Sequence, residues 1–283
     1  MSSTLDPRIH AYRPDMADRR LEGKIEAPSF VDGATFTVSV TRVPLWQNSR
    51  LDSRWGSELL YGETVQVFDI RGGLAWCQSD VDGYVGYVAA EALQAATNPP
   101  THRVRAIRAP VFPEPDLKKP TISWRSIGSR VSLTGQEKNR FVEQADGSWI
   151  YSRHVEPLDT VTEDYIATAR RFMELPYIWG GRSGAGLDCS ALVQLALNFA
   201  GMHDCPRDTD QQREGLGQML PPDTPLKVGD FAFFPGHIGI MLDDTQMLHA
   251  NATHMAVSID PALEVASWTL KSDGAGITGV NRL

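Results

Sequence analysis

Residues Pro176 to Asn198 read PYIWGGRSGAGLDCSALVQLALN. This stretch opens on aromatics and glycines and then becomes densely apolar. From Ala191 the apolar positions are Leu192, Val193, Leu195, Ala196, Leu197 and Phe199, and no Gly or Pro intervenes before Gly201. That density predicts a buried helix, with Asp188 as its N-cap and Cys189 in its first turn. A thiol placed there meets the positive end of the helix dipole and unpaired backbone N–H groups. Both favour thiolate, so the spacing predicts a reactive cysteine. The competing reading is a structural cysteine that packs like a small hydrophobe.

Downstream, HIGIML (237–242) and MLHA (247–250) read as two strands joined by a short polar loop. A cysteine nucleophile needs an imidazole to take its proton and a polar group to orient that imidazole. One hairpin supplies both if its loop has an odd number of residues, for example Leu242 to Asp244. His237 then lies directly opposite His249 on one face; a two-residue loop would send the histidines to opposite faces. The odd loop is predicted, with Cys189, His237 and His249 as nucleophile, base and orienter.

YIWGG, DCSALVQ, HIGIML and LHAN, in this order, resemble the NlpC-type bacterial cell-wall cysteine peptidases over roughly the last 120 residues. The resemblance implies a papain-like fold and the same three catalytic residues. It implies Tyr177 beside the active site, Asp188 and Ser190 as substrate contacts flanking the cysteine, and Asp208 and Thr209 as contacts from RDTDQQ (207–212). Ala191 and Thr209 depart from the residues usual in the family, Gly and Ser.

Before that region, runs such as TFTVSVTRVPLW, ETVQVFDI, LAWCQS and GYVGYVAA are punctuated by Tyr61-Gly62, Gly72-Gly73 and Asp82-Gly83. They predict a small β barrel over 33–97, after a polar extended lead-in at 1–32. Asn98-Pro99-Pro100 reads as a linker, and a weaker copy of the pattern follows at 101–158. Both copies resemble bacterial SH3-like domains. The expected fold class is therefore α+β: two SH3-like barrels, then an NlpC-type peptidase domain at 159–283. The start of that domain, DTVTEDYIATARRFMELP, predicts a helix capped by Asp159 or Thr160.

With this layout the resemblance implies cleavage of the γ-D-glutamyl bond to diaminopimelate or lysine in peptidoglycan stem peptides. A free N-terminal L-alanine would be held by Asp188, by Tyr84 or Tyr87, and by Glu58 or Asp52. Arg182 and Arg207 are candidate contacts for an anionic substrate. Net charge −8 and pI near 5.4 argue against nucleic acid or an anionic membrane as partner. Three cysteines suggest no disulfide framework, and the N-terminal residues lack an apolar signal core, so cytoplasmic recycling of wall peptides is expected. No cofactor or metal is expected. Rival readings are a zinc site from Cys189, His237, His249 and His254, a papain-like amidase or acyltransferase, and a silent wall-binding protein.

Overall fold

The computed structural model describes residues 5–50, 52–96 and 98–283. Its contacts divide the chain into two units, Met1–Leu158 and Asp159–Leu283.

In the first unit, the β-rich runs between 34 and 95 form one antiparallel seven-stranded sheet. Thr64–Arg71 pairs with Ala34–Val38 and with Leu74–Ser79; Val85–Ala89 and Arg42–Trp46 continue the sheet to Trp55–Leu60. Arg71 and Leu74 face each other across Gly72 and Gly73, whose φ values of 57° and 79° are those a two-residue hairpin turn needs. Alternating residues point inward, and Val38, Leu45, Leu59, Val65, Ala75 and Val88 share one apolar cluster. The lead-in is more structured than its composition suggests. Tyr12–Arg13, Met16–Asp18 and Phe30–Val31 form a small sheet, and Ala11 and Met16 pack on Phe68 and Trp76.

Residues 102–157 form a three-stranded and a five-stranded sheet over a core of Val104, Ala109, Val131, Ile150 and Val155. Each β module ends alike, in a 3-10 turn followed by a short strand: Ala90–Ala92 into Leu93–Ala95, and Ser152–His154 into Val155–Pro157. Gly83 and Gly147 hold φ near +74° and +81° at the matching turns.

The second unit carries four helices: α1 (Tyr165–Arg170), α2 (Cys189–Phe199), α3 (Thr209–Gly215) and α4 (Ala262–Asp273). Besides a two-stranded hairpin, Arg182–Ser183 with Gly186–Leu187, it has six strands: β1 (Gln218–Leu220), β2 (Phe231–Phe234), β3 (His237–Met241), β4 (Gln246–Asn251), β5 (Ala256–Pro261) and β6 (Gly279–Arg282). They form an antiparallel sheet of order β1-β6-β2-β3-β4-β5. Helix α1 starts later than predicted. Asp164, not Asp159 or Thr160, is its cap and accepts from the Ala167 N–H at 2.8 Å. Ten of the eleven α2 residues are buried, as expected of a helix apolar nearly all round.

Candidate active site

Asp188 caps α2, its Oδ1 accepting from the Ala191 N–H at 2.9 Å, and this fixes Cys189 as the first helical residue. The segment before it is shaped by backbone approach. A Cβ on Gly186 (φ +155°) would meet the Ile178 side chain at 2.6 Å and the Pro176 carbonyl at 2.7 Å, so only glycine lets the Arg182–Ser183 and Gly186–Leu187 hairpin close against Tyr177 and Ile178. Cys189 is 5% exposed. Its Sγ lies 4.0 Å from the Gly236 carbonyl oxygen and 3.9 Å from Thr209 Oγ1, and it accepts from the Ile238 N–H. The thiol is thus seated against the backbone on both sides of His237.

The histidines meet, by a register slightly different from the expected one. The loop is odd, but it spans Asp243 to Thr245: Met241 pairs with Met247, and the Leu242 N–H bonds to the Gln246 carbonyl. His237 and His249 are therefore diagonal neighbours on one face rather than directly opposite. Diagonal side chains are within reach of one another when they are long or aromatic. His237 Nε2 and His249 Nδ1 are 2.7 Å apart, with ring centroids at 5.0 Å. The Asp243 carboxylate holds the turn, accepting from the N–H groups of Thr245 and Gln246 and from the Thr245 hydroxyl. The chain of contacts continues to a residue that motif reading missed. His249 Nε2 lies 3.0 Å from Asp260 Oδ2 on β5. The alternation V-S-I-D, which puts Ser258 and Asp260 on one strand face, was the available pointer.

Several proposed substrate contacts are occupied by protein groups. The Asp188 carboxylate accepts from the N–H groups of Gly180 and Ala191, from the Ser190 hydroxyl and from both Arg207 terminal nitrogens. Those five protein donors surround both oxygens of the carboxylate. The Ser190 hydroxyl also accepts from Arg207 at 2.8 Å. Arg207 and Arg182 are 1% and 3% exposed, so neither offers the surface charge expected of them. Gln212 of α3 ties this cluster to the helix start by donating to the Ser190 carbonyl at 2.9 Å. Tyr177 is half-buried, and its backbone N–H bonds to the Met255 carbonyl. Asp208 stands at the N-cap of α3, although its side chain does not cap, and Thr209 reaches toward the sulfur. In the first unit, Tyr84 is 2% exposed within the apolar cluster, and Glu58 is buried with Arg42 as its ion-pair partner.

The electrostatics oppose the expected thiolate. Burial, reinforced by the Asp188 charge, pushes the Cys189 thiol from near 9 up to about 11; the Thr209 hydroxyl, the Ile238 N–H and Arg207 oppose this. That disfavours thiolate by roughly 3 kcal/mol. A helix N-terminus ordinarily returns only about 0.3–1 kcal/mol, so desolvation wins. Burial, with His249 adding, lowers His237 to about 3. Burial also lowers His249, against the pull of Asp260. Burial thus works toward a neutral thiol and neutral imidazoles. The Tyr177 hydroxyl is raised by burial and by Cys189. Among the described residues, no group of three or more His, Cys, Asp or Glu is arranged to hold a metal ion, and no helix is long and apolar enough to cross a membrane.

Residues 174–271 match the model of the NlpC/P60 family, and residues 47–93 match the bacterial dipeptidyl-peptidase Sh3 domain. A γ-D-glutamyl-L-lysine dipeptidyl-peptidase of Bacillus subtilis is 35% identical over 129 residues, covering 42% of this chain and 40% of that protein. One of the same name from Bacillus cereus is 30% identical over 155 residues, 52% and 45% of the two chains. Dipeptidyl-peptidase 6 of Lysinibacillus sphaericus is 33% identical over 48% of each. The matched stretches thus span under half the length of these relatives. A crystal structure of an NlpC/P60 family protein from Bacillus cereus shares the fold, with a TM-score of 0.71 at 22% identity over 88% of this chain and 99% of that one. The chain is thus similar to the NlpC/P60 family over residues 174–271 and to the bacterial dipeptidyl-peptidase Sh3 domain over residues 47–93.

Proposed function

We propose that this protein is a cysteine peptidase that hydrolyses the γ-D-glutamyl bond to diaminopimelate or lysine in peptidoglycan stem peptides. The observation that carries the reading is the thiol at the start of α2, seated against the strand whose His237 bonds His249 at 2.7 Å. Cys189 attacks the scissile carbonyl as His237 takes its proton. His237 then protonates the leaving amine, and water attacks the thioester with His237 as base. The Cys189 N–H at the helix start and the Tyr177 hydroxyl are proposed to hold the oxyanion; one such donor is worth about 3–4 kcal/mol. Asp208 and Thr209 are proposed substrate contacts.

The relatives named dipeptidyl-peptidases support a substrate that begins at a free amino terminus. L-Ala-γ-D-Glu is such a two-residue unit, and we assign the protein to released fragments in cytoplasmic wall recycling. On the resemblance, Tyr84 and Glu58 are proposed contacts to the ammonium, and the 101–158 module is proposed as a second SH3-like barrel. Tyr84→Phe and Glu58→Gln should raise KM for the free peptide; an unchanged KM assigns both to packing in the first unit.

The test is to incubate the protein with L-Ala-γ-D-Glu-diaminopimelate, its lysine counterpart, an N-blocked form and intact sacculi, then identify fragments by mass. Cleavage of the free tripeptides alone supports the reading. Activity confined to sacculi overturns the recycling assignment, and release of an intact stem peptide from sugar favours the amidase.

A further inference from the structure

Beyond His249 lies a polar chain that the proposed chemistry has not used. Asp260, on β5, is 14% exposed at its side chain and receives three donors. His249 Nε2 approaches Oδ2 at 3.0 Å, the Ser258 hydroxyl donates to Oδ2 at 2.6 Å, and His254 Nε2 approaches Oδ1 at 3.1 Å. Burial works to raise the carboxyl, but these donors outweigh it and hold it below the usual range, so it is ionised at neutral pH. The support is itself organised. Asn251 Nδ2 donates to Ser258 Oγ at 2.7 Å, and Asn251 Oδ1 accepts from the His254 N–H at 2.8 Å. The His254 ring stands edge-on to Trp268 of α4, centroids 5.8 Å apart.

An ionised carboxylate can only accept. His249 must therefore carry its proton on Nε2. The Asn251 amide nitrogen also lies 3.2 Å from that nitrogen, and the shorter 3.0 Å approach to the charged Asp260 carboxylate decides which role Nε2 takes. His249 Nδ1 is then bare and acts as acceptor. At 2.7 Å from it, His237 Nε2 must carry a proton and donate. That leaves His237 Nδ1 as the bare nitrogen able to take a proton from Cys189. With the opposite tautomers His237 would arrive with Nδ1 already protonated, unable to act as base.

We propose that Asp260 is a positioning residue of the active site: by accepting from His249 Nε2 it sets the tautomers of both histidines and so makes His237 Nδ1 the base for Cys189. The inference rests on the proposed thiol chemistry but not on which bond is cut. A carboxylate that fixes the tautomer of a catalytic imidazole can be worth up to about 10⁴-fold in kcat, and partners of metal-bound histidines about tenfold to a hundredfold.

The experiment measures iodoacetamide alkylation of Cys189 in the full-length protein at neutral pH by peptide mass mapping, alongside kcat, KM and Tm. Asp260→Asn keeps the shape, removes the charge and allows an amide donor to reverse the tautomers. It should slow alkylation about tenfold or more and lower kcat to a similar extent, with KM within about twofold. In a His249→Asn background the same substitution should have no further effect, because Asp260 acts only through His249. An unchanged alkylation rate in folded Asp260→Asn, or an equal fold-loss in both backgrounds, overturns the proposal. Should Asp260→Asn fail to fold, Ser258→Ala removes one donor and keeps the charge. A slowing of about twofold to fivefold then supports the proposal, and a wild-type rate overturns it. Alkylation needs no substrate, so a dependence on Asp260 without cleavage of any stem peptide would count against the bond assignment alone.

Discussion

The sulfur of Cys189 shows how two local effects of opposite sign are decided by magnitude. The helix start favours its anion, but near-complete burial beside the Asp188 carboxylate costs more, and the thiol is raised to about 11. His237 is lowered by burial, so it stays neutral across the physiological range. The sign for pH dependence follows. A raised thiol forms thiolate only as pH climbs, and a lowered imidazole does not hold a stable imidazolium beside it. The Cys189 alkylation rate should therefore rise steadily from pH 6 to pH 10. A plateau persisting below pH 6 would mean a preformed thiolate–imidazolium pair and would refute this account. Cys189→Ser should lower kcat by about three orders of magnitude or more, since a hydroxyl is a far poorer nucleophile beside a neutral base; product release from the tripeptide is the measurement. Arg207 makes the complementary point for stability. Replacing it with Ala leaves the Asp188 charge buried and unpaired, and should cost about 3–5 kcal/mol in a urea titration.

At the scale of the element, the β3–β4 hairpin decides whether there is a site at all. Side chains alternate faces, so the parity of the loop, three residues from Asp243 to Thr245, determines that His249 shares a face with His237. Inserting one glycine after Asp244 should turn His249 away from His237 and reduce kcat about a hundredfold or more, or else force the strand to bulge and keep activity. Hydrogen exchange along Gln246–Asn251 separates these outcomes, and full activity with an unbulged strand would refute the register argument. Strand β5 adds to the same logic: His249 pairs with Ser258 and Met247 with Asp260, so Asp260 is again a diagonal neighbour on the histidine face.

Over the whole molecule, each unit has a core of its own, and the first unit is fastened internally between its two β modules. The Arg130 N–H donates to the Tyr61 carbonyl at 2.8 Å, and the Arg125 guanidinium stacks 3.4 Å from the Tyr61 ring centroid. The Tyr61 hydroxyl donates to Asp146. Gly62 admits this closure. At φ +77° a Cβ there would fall 1.8 Å from the Arg130 carbonyl oxygen, which is backbone and cannot step aside. Gly62→Ala should therefore destabilise the first unit by about 2 kcal/mol or more. Hydrogen exchange should rise in both 34–95 and 102–157, and protection unchanged in the second module would show that the fastening carries no energy.

Much of this was legible in residue order because it depends on neighbours a few positions apart. A capping aspartate beside an apolar run locates the start of α2 and hence the thiol. Glycine pairs mark the hairpins of the first sheet, and two histidines twelve apart with an odd loop share a face. Other features belong to the tertiary structure, because they arise where distant segments exclude water or meet. The ionisation of Cys189 follows from its burial, not from its helix. Arg207, nineteen positions from Asp188, becomes a buried counter-ion instead of a surface contact. Asp260 reaches His249 only once β5 lies beside β4. Short-range pattern says where a strand begins and which way its side chains point; which groups lose solvent, and which charge faces which, depends on three-dimensional packing.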